Sequence, residues 1–425
     1  MEQMRDPQNM YTGATAEKNS AVQTGKTAYA NGNKVPNVPP LRFPEFTGEW
    51  IKVKLNNIVE RVRRKNKFND TELPLTISAQ HGLVDQITFF NKKVASQDLS
   101  NYYLLKKGEF AYNKSYSSDY PWGAIKRLDK YSEGALSSLY ICFAPTKIYS
   151  DFLVHYFESP KWYREISDIA GEGARNHGLL NIGIDDFFNT IHWKPNNIDE
   201  QKKIARFLNL IEQRIATQSK IIDKLQSLMC GICERLLYSD TGENVKLGDI
   251  LSERVEKTTE NNQYEILSST VKGIFLQRDY FSKDIASENN IGYKVVRLND
   301  IVLSPQNLWM GNINFNDKFQ IGAVSPSYKI FTIADRFYKP FIAAILKTHR
   351  ALYNYELVSE QGASIVRRNL NMEAFEQLAF KIPSYDRQVQ VGNTISTLQQ
   401  RIDFTKKSYS ALMQQKQYLL QRMFI

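Results

Sequence analysis

The sequence predicts an α+β protein made of two repeats, each a mixed α/β domain followed by one long helix. Matched motifs reveal the repeat. Val-Lys-Leu stands at 53–55 and again at 245–247, and Lys-aromatic-x-x-Gly-Ala stands at 130–135 and again at 318–323. Each half then passes a proline and enters a long pattern of helical period. A chain built twice presents two similar surfaces, which suits a target that itself has two halves.

Charge and cysteine content narrow the class of protein. With 425 residues, of which 42% are hydrophobic, the chain can bury two cores. A formal net charge of +10 favours an acidic partner, nucleic acid first, although a basic soluble protein without such a partner is an open alternative. Three cysteines are typical of a reducing cytoplasm rather than a disulfide framework. With no signal peptide and no apolar run of spanning length, we expect a cytoplasmic protein without a membrane partner.

Composition and period divide the chain into five segments. Residues 1–35 are rich in small and polar residues without a period, which predicts a disordered tail. Residues 36–196 form the first mixed α/β domain and 197–240 a central long helix. Residues 241–383 repeat the domain, and 384–425 repeat the helix.

Inside the domains, short apolar runs between polar turns predict strands. Such runs lie at 73–78 and 109–112, and the run at 301–303 stands in the second half where 110–112 stands in the first. A pattern with apolar and aromatic residues at helical spacing predicts one continuous helix over 151–166. The second half has its counterpart at 337–353.

The two long helices carry the strongest local pattern, an apolar residue at alternating steps of four and three. This heptad seam is typical of helices that pair with one another, and each seam is roughly 50 Å long at 1.5 Å per residue. An ordinary core helix is the alternative for either seam alone. The predicted interface residues are Ile204, Leu208, Ile211, Ile215, Ile222 and Leu225 in the first helix, and Ile395, Leu398, Ile402, Tyr409, Leu412 and Leu419 in the second.

The start of the central helix has a capping pattern. Asn197 is followed three residues later by Glu200, which is the spacing of a capping box.

No motif in the chain predicts catalysis. A methyltransferase would need a Gly-rich cofactor loop and an Asn- or Asp-Pro-Pro-aromatic turn, and an ATPase a Gly-x-x-x-x-Gly-Lys-Ser/Thr loop; neither pattern occurs. Cys230 and Cys233 match Cys-x-x-Cys but lie in the helical seam, where packing is the simpler interpretation than zinc. A nuclease carboxylate cluster stays open, because Asp and Glu are common. We therefore expect a non-enzyme with no metal.

Three segments resemble those of a known family. They are Pro-Pro-Leu-Arg-Phe-Pro-Glu-Phe-x-Gly-Glu-Trp at 39–50, Asp-Glu-Gln-Lys-Lys-Ile-Ala-Arg-Phe-Leu at 199–208, and Leu-Leu-Gln-Arg-Met-Phe at 419–424. In order, spacing and duplication they resemble the specificity subunits of type I restriction-modification systems, which serve host defence. The resemblance covers about residue 36 to the end.

The resemblance implies an architecture and a set of partners. Each half supplies a target recognition domain, and the helices are spacers that pair antiparallel, so that the domains are related by a pseudo-two-fold axis. Each domain reads one half of a bipartite target in double-stranded DNA. Two modification subunits dock and methylate adenine, and restriction subunits join to cut DNA with ATP. S-adenosylmethionine, ATP and Mg are therefore expected on the partner subunits, with no cofactor in this chain.

The residues that contact DNA are sought in polar and aromatic loops where the repeats diverge, because base edges are read by donors and acceptors on such loops. A solvated surface turn is the alternative for each loop. The predicted DNA-contacting residues are Gln80, His81, Lys114, Ser115, Tyr116, Tyr120, Trp122, Arg175, Asn176 and His177 in the first half, and Gln306, Asn307, Trp309, Arg367 and Arg368 in the second. The loop at 268–273 matches that of Gln80 and His81, and the basic run at 63–67 is a further phosphate-binding candidate.

A second hypothesis from another class stays open on the sequence alone. Two lobes on a coiled coil could serve as a scaffold that assembles protein partners without reading DNA sequence. Such a scaffold would bind duplex DNA without dependence on its sequence.

Overall fold

The computed structural model describes residues 37–92, 94–171, 178–237, 242–281, 289–361 and 367–425. The predicted tail, 1–35, lies outside them. The described residues fall into two compact units: a first unit of residues 37–220 with 407–425, and a second unit of residues 221–406. Each unit therefore combines one α/β domain with a piece of both long helices.

The first domain consists of short strands and short helices. Its strands are β1 Ile51–Lys54, β2 Val59–Arg61, β3 Pro74–Ser78, β4 Gly82–Asp85, β5 Tyr103–Lys106, β6 Phe110–Asn113, β7 Ala124–Arg127, β8 Glu133–Leu136, β9 Ile141–Pro145 and β10 Ile191–Lys194. Its helices are α1 Gln86–Phe90, α2 Ser150–Glu158, α3 Tyr163–Ile169 and α4 Ile184–Asn189. The predicted strands at 73–78 and 109–112 are confirmed as β3 and β6.

Two four-stranded sheets and one strand pair organise these strands. The first sheet has the order β2-β9-β6-β7, and the second has the order β4-β3-β8-β5, in which β3 and β8 run parallel. Strand β1 pairs antiparallel with β10, so the chain leaves the domain beside the point where it entered. Phe110 and Phe143 stack 5.4 Å apart at the centre of an aromatic-rich core, because they are register partners on β6 and β9.

The second domain follows helix α5, Ile198–Leu237, and repeats the plan of the first. Its strands are β11 Glu243–Lys246, β12 Leu251–Glu253, β13 Leu267–Thr270, β14 Gly273–Leu276, β15 Lys294–Arg297, β16 Ile301–Leu303, β17 Ile313–Phe315, β18 Ile321–Val324, β19 Lys329–Ile333, β20 Ser359–Gln361, β21 Arg368–Leu370 and β22 Ala379–Ile382. Its helices are α6 Leu247–Ile250, α7 Gln277–Tyr280, α8 Lys339–Ile345, α9 His349–Leu357 and α10 Met372–Gln377. The last helix of the chain is α11, Tyr385–Arg422.

One sheet and one strand pair of the second domain match those of the first, whereas the strands that correspond to the sheet β4-β3-β8-β5 form two separate pairs, β13-β14 and β15-β18. The sheet β12-β19-β16-β17 corresponds to β2-β9-β6-β7, and the pair β11-β22 corresponds to β1-β10. Ile301 faces Phe331 as Phe110 faces Phe143. The duplication seen in the sequence therefore extends to the topology of this sheet and this strand pair, and the predicted strand at 301–303 is confirmed.

Pieces of the two long helices pack antiparallel inside each unit. In the first unit, the Nζ atom of Lys416 lies 2.5 Å from the Oε1 atom of Glu212, while Phe424 shares a core with Ile204 at the other end of the pair. In the second unit, Leu237 shares a core with Val391. The seam side chains are less exposed than their neighbours because each unit covers its own part of the seam. The mixed α+β fold with two long helices is confirmed.

The prediction of one continuous helix over 151–166, and of its counterpart over 337–353, was wrong. Helix α2 ends before Ser159-Pro160, because a proline ring disfavours the helical conformation of the preceding residue, and α3 begins after a 3₁₀ turn. In the second domain Thr348 separates α8 from α9, and its Oγ1 atom accepts a hydrogen bond from the N–H of Ala351.

The prediction of a capping box at the start of α5 was only partly right. Asn197 accepts a hydrogen bond from the N–H of Asp199 through its Oδ1 atom, at 2.7 Å. Glu200 is buried and accepts instead from the Nε and Nη2 atoms of Arg42, at 2.7 and 2.8 Å, and from the indole N–H of Trp50, at 3.1 Å. The carboxylate therefore binds the segment that precedes the first domain, and not its own helix.

A buried glutamine clamps the start of each long helix to its domain. The Gln201 amide donates to the carbonyl of Pro195 at 2.9 Å and accepts from the N–H of Tyr149 at 2.9 Å. Gln388 repeats both bonds, with Pro383 at 2.9 Å and with the N–H of Tyr338 at 3.0 Å. An amide carries its donor and its acceptor on two separate atoms of one planar group, which lets a single side chain make both bonds.

A charged network fastens the first domain to the helices of its unit. The Nζ atom of Lys416 lies 3.0 Å from Glu158 and 2.5 Å from Glu212. Fully buried His155 lies beside both carboxylates and hydrogen-bonds Asn209 at 2.8 Å through Nε2. Burial raises the pKa of Glu158, but His155 and Lys416 outweigh it and hold that pKa below its usual range.

The second unit lacks this network at the matching positions. Thr348 is the N-cap of α9, and Ser159 is the N-cap of the 3₁₀ turn that follows α2. When these two caps are aligned, Lys347 stands at the position of Glu158. The offset of 187 (388 − 201) that aligns Gln388 with Gln201 places Met229 at the position of Lys416 and Gln399 at that of Glu212. There the structure has a cavity of about 820 Å³, lined by Met229, Lys347 and Gln399 among others.

Acidification should destabilise the fold through His192. Burial lowers the pKa of His192 from 6.5 to about 4, and its ring is hydrogen-bonded by Tyr156 and Thr190. The unfolded chain binds this proton at a higher pH than the folded chain. The free energy of unfolding should therefore fall as pH drops from about 6.5 towards 4, by up to about 3 kcal/mol.

Denaturant melts between about pH 7 and 5, where most carboxylates stay ionised, would measure this slope. His192→Gln should flatten it, while His349→Gln, at an exposed position, should leave it unchanged. An unaltered slope in His192→Gln would mean that other groups cause the acid sensitivity.

Removing the ammonium group of Lys416 should destabilise the first unit. Lys416→Met leaves two partly buried carboxylates without their cation, which should cost about 1–3 kcal/mol after allowance for solvent screening. Methionine suits the seam because Met229 holds the matching position. Thermal melting measures the effect, with exposed Lys407→Met as the matched control. Equal melting temperatures for both variants would show that the network adds no stability.

Candidate nucleic-acid interface

Two of the predicted loops in the first domain lie side by side. The first loop follows β6, and the Oδ1 atom of Asn113 accepts from the N–H of Ser115 at 3.0 Å to start the turn. The N–H of Tyr116 then donates to the carbonyl of Gly178 at 3.0 Å, and the N–H of Leu180 donates to the carbonyl of Lys114 at 2.9 Å. The loop therefore pairs with the segment that directly follows 172–177. Arg175, Asn176 and His177 themselves lie outside the described residues.

Side-chain exposure divides the first loop into an outer and an inner part. Ser115 and Tyr116 are exposed, and Lys114 is half-buried. Tyr120 and Trp122 are half-buried; Trp122 packs against the aromatic core, and its carbonyl accepts from the Tyr112 hydroxyl at 2.8 Å. Burial, together with Asp119 and Glu158, raises the pKa of Tyr120. The geometry favours Ser115 and Tyr116 over Tyr120 and Trp122 for contact with a partner, and DNA contact by all of them stays a prediction.

The second domain builds the same pair of loops with other residues. Buried Leu308 anchors a 3₁₀ turn over Leu308–Met310, which ends at Gly311 with φ +90°. The N–H of Arg368 donates to the carbonyl of Gln306 at 3.2 Å, so this loop also lies against the strand that follows the divergent segment. The guanidinium of Arg368 lies 4.4 Å from the ring centroid of Trp309.

Exposure in this second pair also varies. Gln306 and Arg367 are exposed, while Asn307, Trp309 and Arg368 are half-buried. The segment 362–366, which precedes Arg367, lies outside the described residues. Gln306 and Arg367 are thus the side chains most available to a partner.

The third loop of each domain lies beside the first. In the first domain Gln80 and His81 occupy the turn between β3 and β4, and the N–H of His81 donates to the Ser78 hydroxyl at 3.1 Å. Gln80 and Tyr120 line one cavity of about 340 Å³. In the second domain the Nζ atom of Lys347 donates to the carbonyls of Val271 and Gly311, at 3.3 and 3.2 Å. Lys347 therefore ties the third loop to the first, a role that no motif or spacing predicted.

Half of the basic run is engaged within the domain. Arg64 forms an ion pair with Glu109 at 2.8 Å. Lys65 donates to the carbonyl of Asn101 at 2.8 Å and lies 3.9 Å from the ring centroid of Tyr103. Arg63 and Lys67 are exposed, as is Arg64 beside its ion pair, whereas Lys65 is half-buried.

Groups that could hold a metal are few among the described residues. His155, Glu158 and Glu212 lie close enough together to be ligands, but the Lys416 ammonium already lies between the two carboxylates and supplies positive charge. Cys230 is exposed and Cys233 half-buried on α5.

The helices in the described part of the chain include none that is both long and apolar enough to cross a membrane.

A methyl group at Gly123 should disturb the first loop. Gly123 has φ +78°, and an added Cβ atom would overlap the carbonyl oxygen of Asn113, where that loop begins. Gly108 is a matched control because it has φ +90° and open space around it. Both alanine variants bear backbone strain of about 1 kcal/mol, and the overlap should add about 1–3 kcal/mol in Gly123→Ala. Chemical denaturation compares them; equal losses would mean that the loop adjusts without cost.

Two solved structures are similar to this fold. No family model matches this chain, and no curated protein matches it in sequence. The S subunit of the type I restriction-modification system from M. genitalium is 15% identical over 91% of this chain and 99% of that chain, with a TM-score of 0.55. A second solved structure comes from work on complex assembly and conformational transition of the type I R-M system. It is 13% identical over 90% of this chain and 98% of that chain, with a TM-score of 0.51. The chain therefore has the fold of the S subunits of type I restriction-modification systems, the family that its sequence resembles.

Proposed function

We propose that this chain is the DNA sequence-specificity subunit of a type I restriction-modification complex. Each α/β domain reads one half of a bipartite target, and the paired helices hold the modification subunits. One observation carries the proposal: each domain brings its divergent loops together, with Lys114 bonded to Leu180 in the first and Gln306 bonded to Arg368 in the second. Side-by-side loops with exposed donors and acceptors are what readout of base edges requires.

The two loop sets predict two different half-sites. The first domain offers Ser115, Tyr116 and Gln80, which are hydroxyl and amide groups, whereas the second offers Gln306 and Arg367. Hydroxyls accept several bases, while amides prefer adenine and guanidinium groups prefer guanine. The target is therefore asymmetric, although the frame that reads it is duplicated.

The division of labour follows from the side chains present. The sequence has no motif for S-adenosylmethionine or ATP, so we assign methyl transfer to two modification subunits, and ATP- and Mg-dependent cleavage to restriction subunits. The net charge of +10 supplies a sequence-independent attraction to duplex DNA, which makes binding dependent on salt. We place the complex in the cytoplasm, where its DNA lies.

Coexpression of the chain with its modification subunit, followed by single-molecule sequencing of genomic DNA, tests the proposal. The expected result is adenine methylation at one split motif, with two short half-sites around a fixed gap. Methylation independent of sequence, or none from a complex that purifies intact, would favour the scaffold that assembles partners without reading DNA.

A single substitution tests the assignment of one domain to one half-site. Arg367→Ala should relax or weaken recognition in one half of the motif, by about 5- to 150-fold for a lost base contact, and leave the other half unchanged. Ser115→Ala in the first domain is the counterpart, and it should affect only the opposite half. The same methylation map reads out both variants, and equal changes in both half-sites would refute the model of two separate readers.

A further inference from the structure

We infer that Arg368, stacked on Trp309, reads a guanine in the half-site of the second domain. The inference rests on the proposed function and adds to it the identity of one base and of the residue that selects it. It concerns one side chain, whose position is fixed by its surroundings before any DNA arrives.

Three contacts restrain Arg368, two through its guanidinium and one through its backbone N–H. Its guanidinium lies 4.4 Å from the ring centroid of Trp309, which fixes the height of the group above the loop. Its Nη2 atom donates to the Oε1 atom of Glu356 at 3.1 Å, which limits rotation in the plane. Its backbone N–H donates to the carbonyl of Gln306 at 3.2 Å, which places the residue beside the exposed part of the first loop.

These restraints leave hydrogen-bonding capacity unused. The Nε atom of Arg368 and the indole Nε1 atom of Trp309 are both buried without a hydrogen-bond partner, so a base would meet the guanidinium at its Nη1 and Nη2 end. The pairing with Glu356 uses one Nη2 proton, and Nη1 has no partner among the residues that the structure describes. Glu356 is about half exposed, so the ion pair is of the weak surface kind and does not withdraw the guanidinium from an incoming ligand.

Guanine is the base whose chemistry fits this group. Its major-groove edge presents two acceptors, O6 and N7, and the planar fork of a guanidinium donates to both at once. A guanidinium that is already oriented loses little conformational entropy on binding, which increases discrimination between bases. Lysine has the charge without the fork, so it cannot reproduce a bidentate contact.

The first domain has neither member of this pair at the matching positions. Counting back from the matched glycines Gly123 and Gly311, Pro121 stands where Trp309 stands. Counting back from the matched leucines Leu180 and Leu370, Gly178 stands where Arg368 stands. The stacked arginine is thus a feature by which the second reader differs from the first.

The test uses the complex with modification subunits and the motif that methylation mapping defines. Duplexes carrying each single base-pair replacement compete for the wild-type complex. One G·C pair in the second half-site should lose about 5- to 150-fold in affinity when replaced. In Arg368→Lys that loss should shrink to about threefold or less, while the preferences at the other positions and the binding of unrelated duplex are retained because the charge is kept.

Arg278→Lys is the matched control, because Arg278 is another ion-paired arginine of the second domain, bonded to Glu265. It should leave every preference unchanged. An equal loss at all positions of the second half-site in Arg368→Lys would make Arg368 a support of the loop and overturn the inference.

A second measurement needs no variant protein. Replacing each guanine of the second half-site by 7-deazaguanine removes the N7 acceptor and keeps base pairing. One such replacement should weaken binding of the wild-type complex, and none should do so if Arg368 does not read guanine. A wild-type complex that shows no sequence preference at all would refute the proposed function itself, whereas intact preference without the guanine effect would refute only this inference.

Discussion

The amide of one buried glutamine at the start of each long helix fixes how that helix leaves its domain. Gln201 binds the carbonyl of Pro195 and the N–H of Tyr149, and Gln388 makes the same two bonds in the second unit. Both bonds are directional, and an unpaired amide in the core would cost about 1–3 kcal/mol. In each unit the clamp joins three points of the chain: the proline after the last strand of the domain, the residue that precedes α2 or α8, and the first turn of the long helix.

The heptad seams and the duplication could be read from the sequence because both are periodic signals that short-range spacing encodes. The prediction of one helix over 151–166 was wrong because Ser159-Pro160 ends α2. The prediction followed the spacing of the apolar residues and gave too little weight to the effect of this proline. Glu200 was assigned to a capping box because its true partners, Arg42 and Trp50, lie more than a hundred residues away. Long-range contacts of this kind leave no trace in local spacing.

The loop predictions had the same limit. Divergence between the repeats located the loops, and the structure brings them together through main-chain bonds such as those between Tyr116 and Gly178. The structure then separates the two kinds of residue. Ser115 is exposed and can contact a partner, whereas Trp122 packs against the hydrophobic core. An aromatic residue in a polar loop looks the same in sequence whether it faces solvent or the core.

The Glu158 network has a consequence for any exchange of the two domains. The first domain has an acidic residue where the second has Lys347, and the helix opposite has Lys416 where the other has Met229. In the second unit, the first domain would set the Glu158 carboxylate against methionine and lose its ion pair with Lys416. In the first unit, the second domain would set Lys347 beside Lys416, a pair of like charges. Exchange of the two domains therefore requires exchange of the facing helix residues as well.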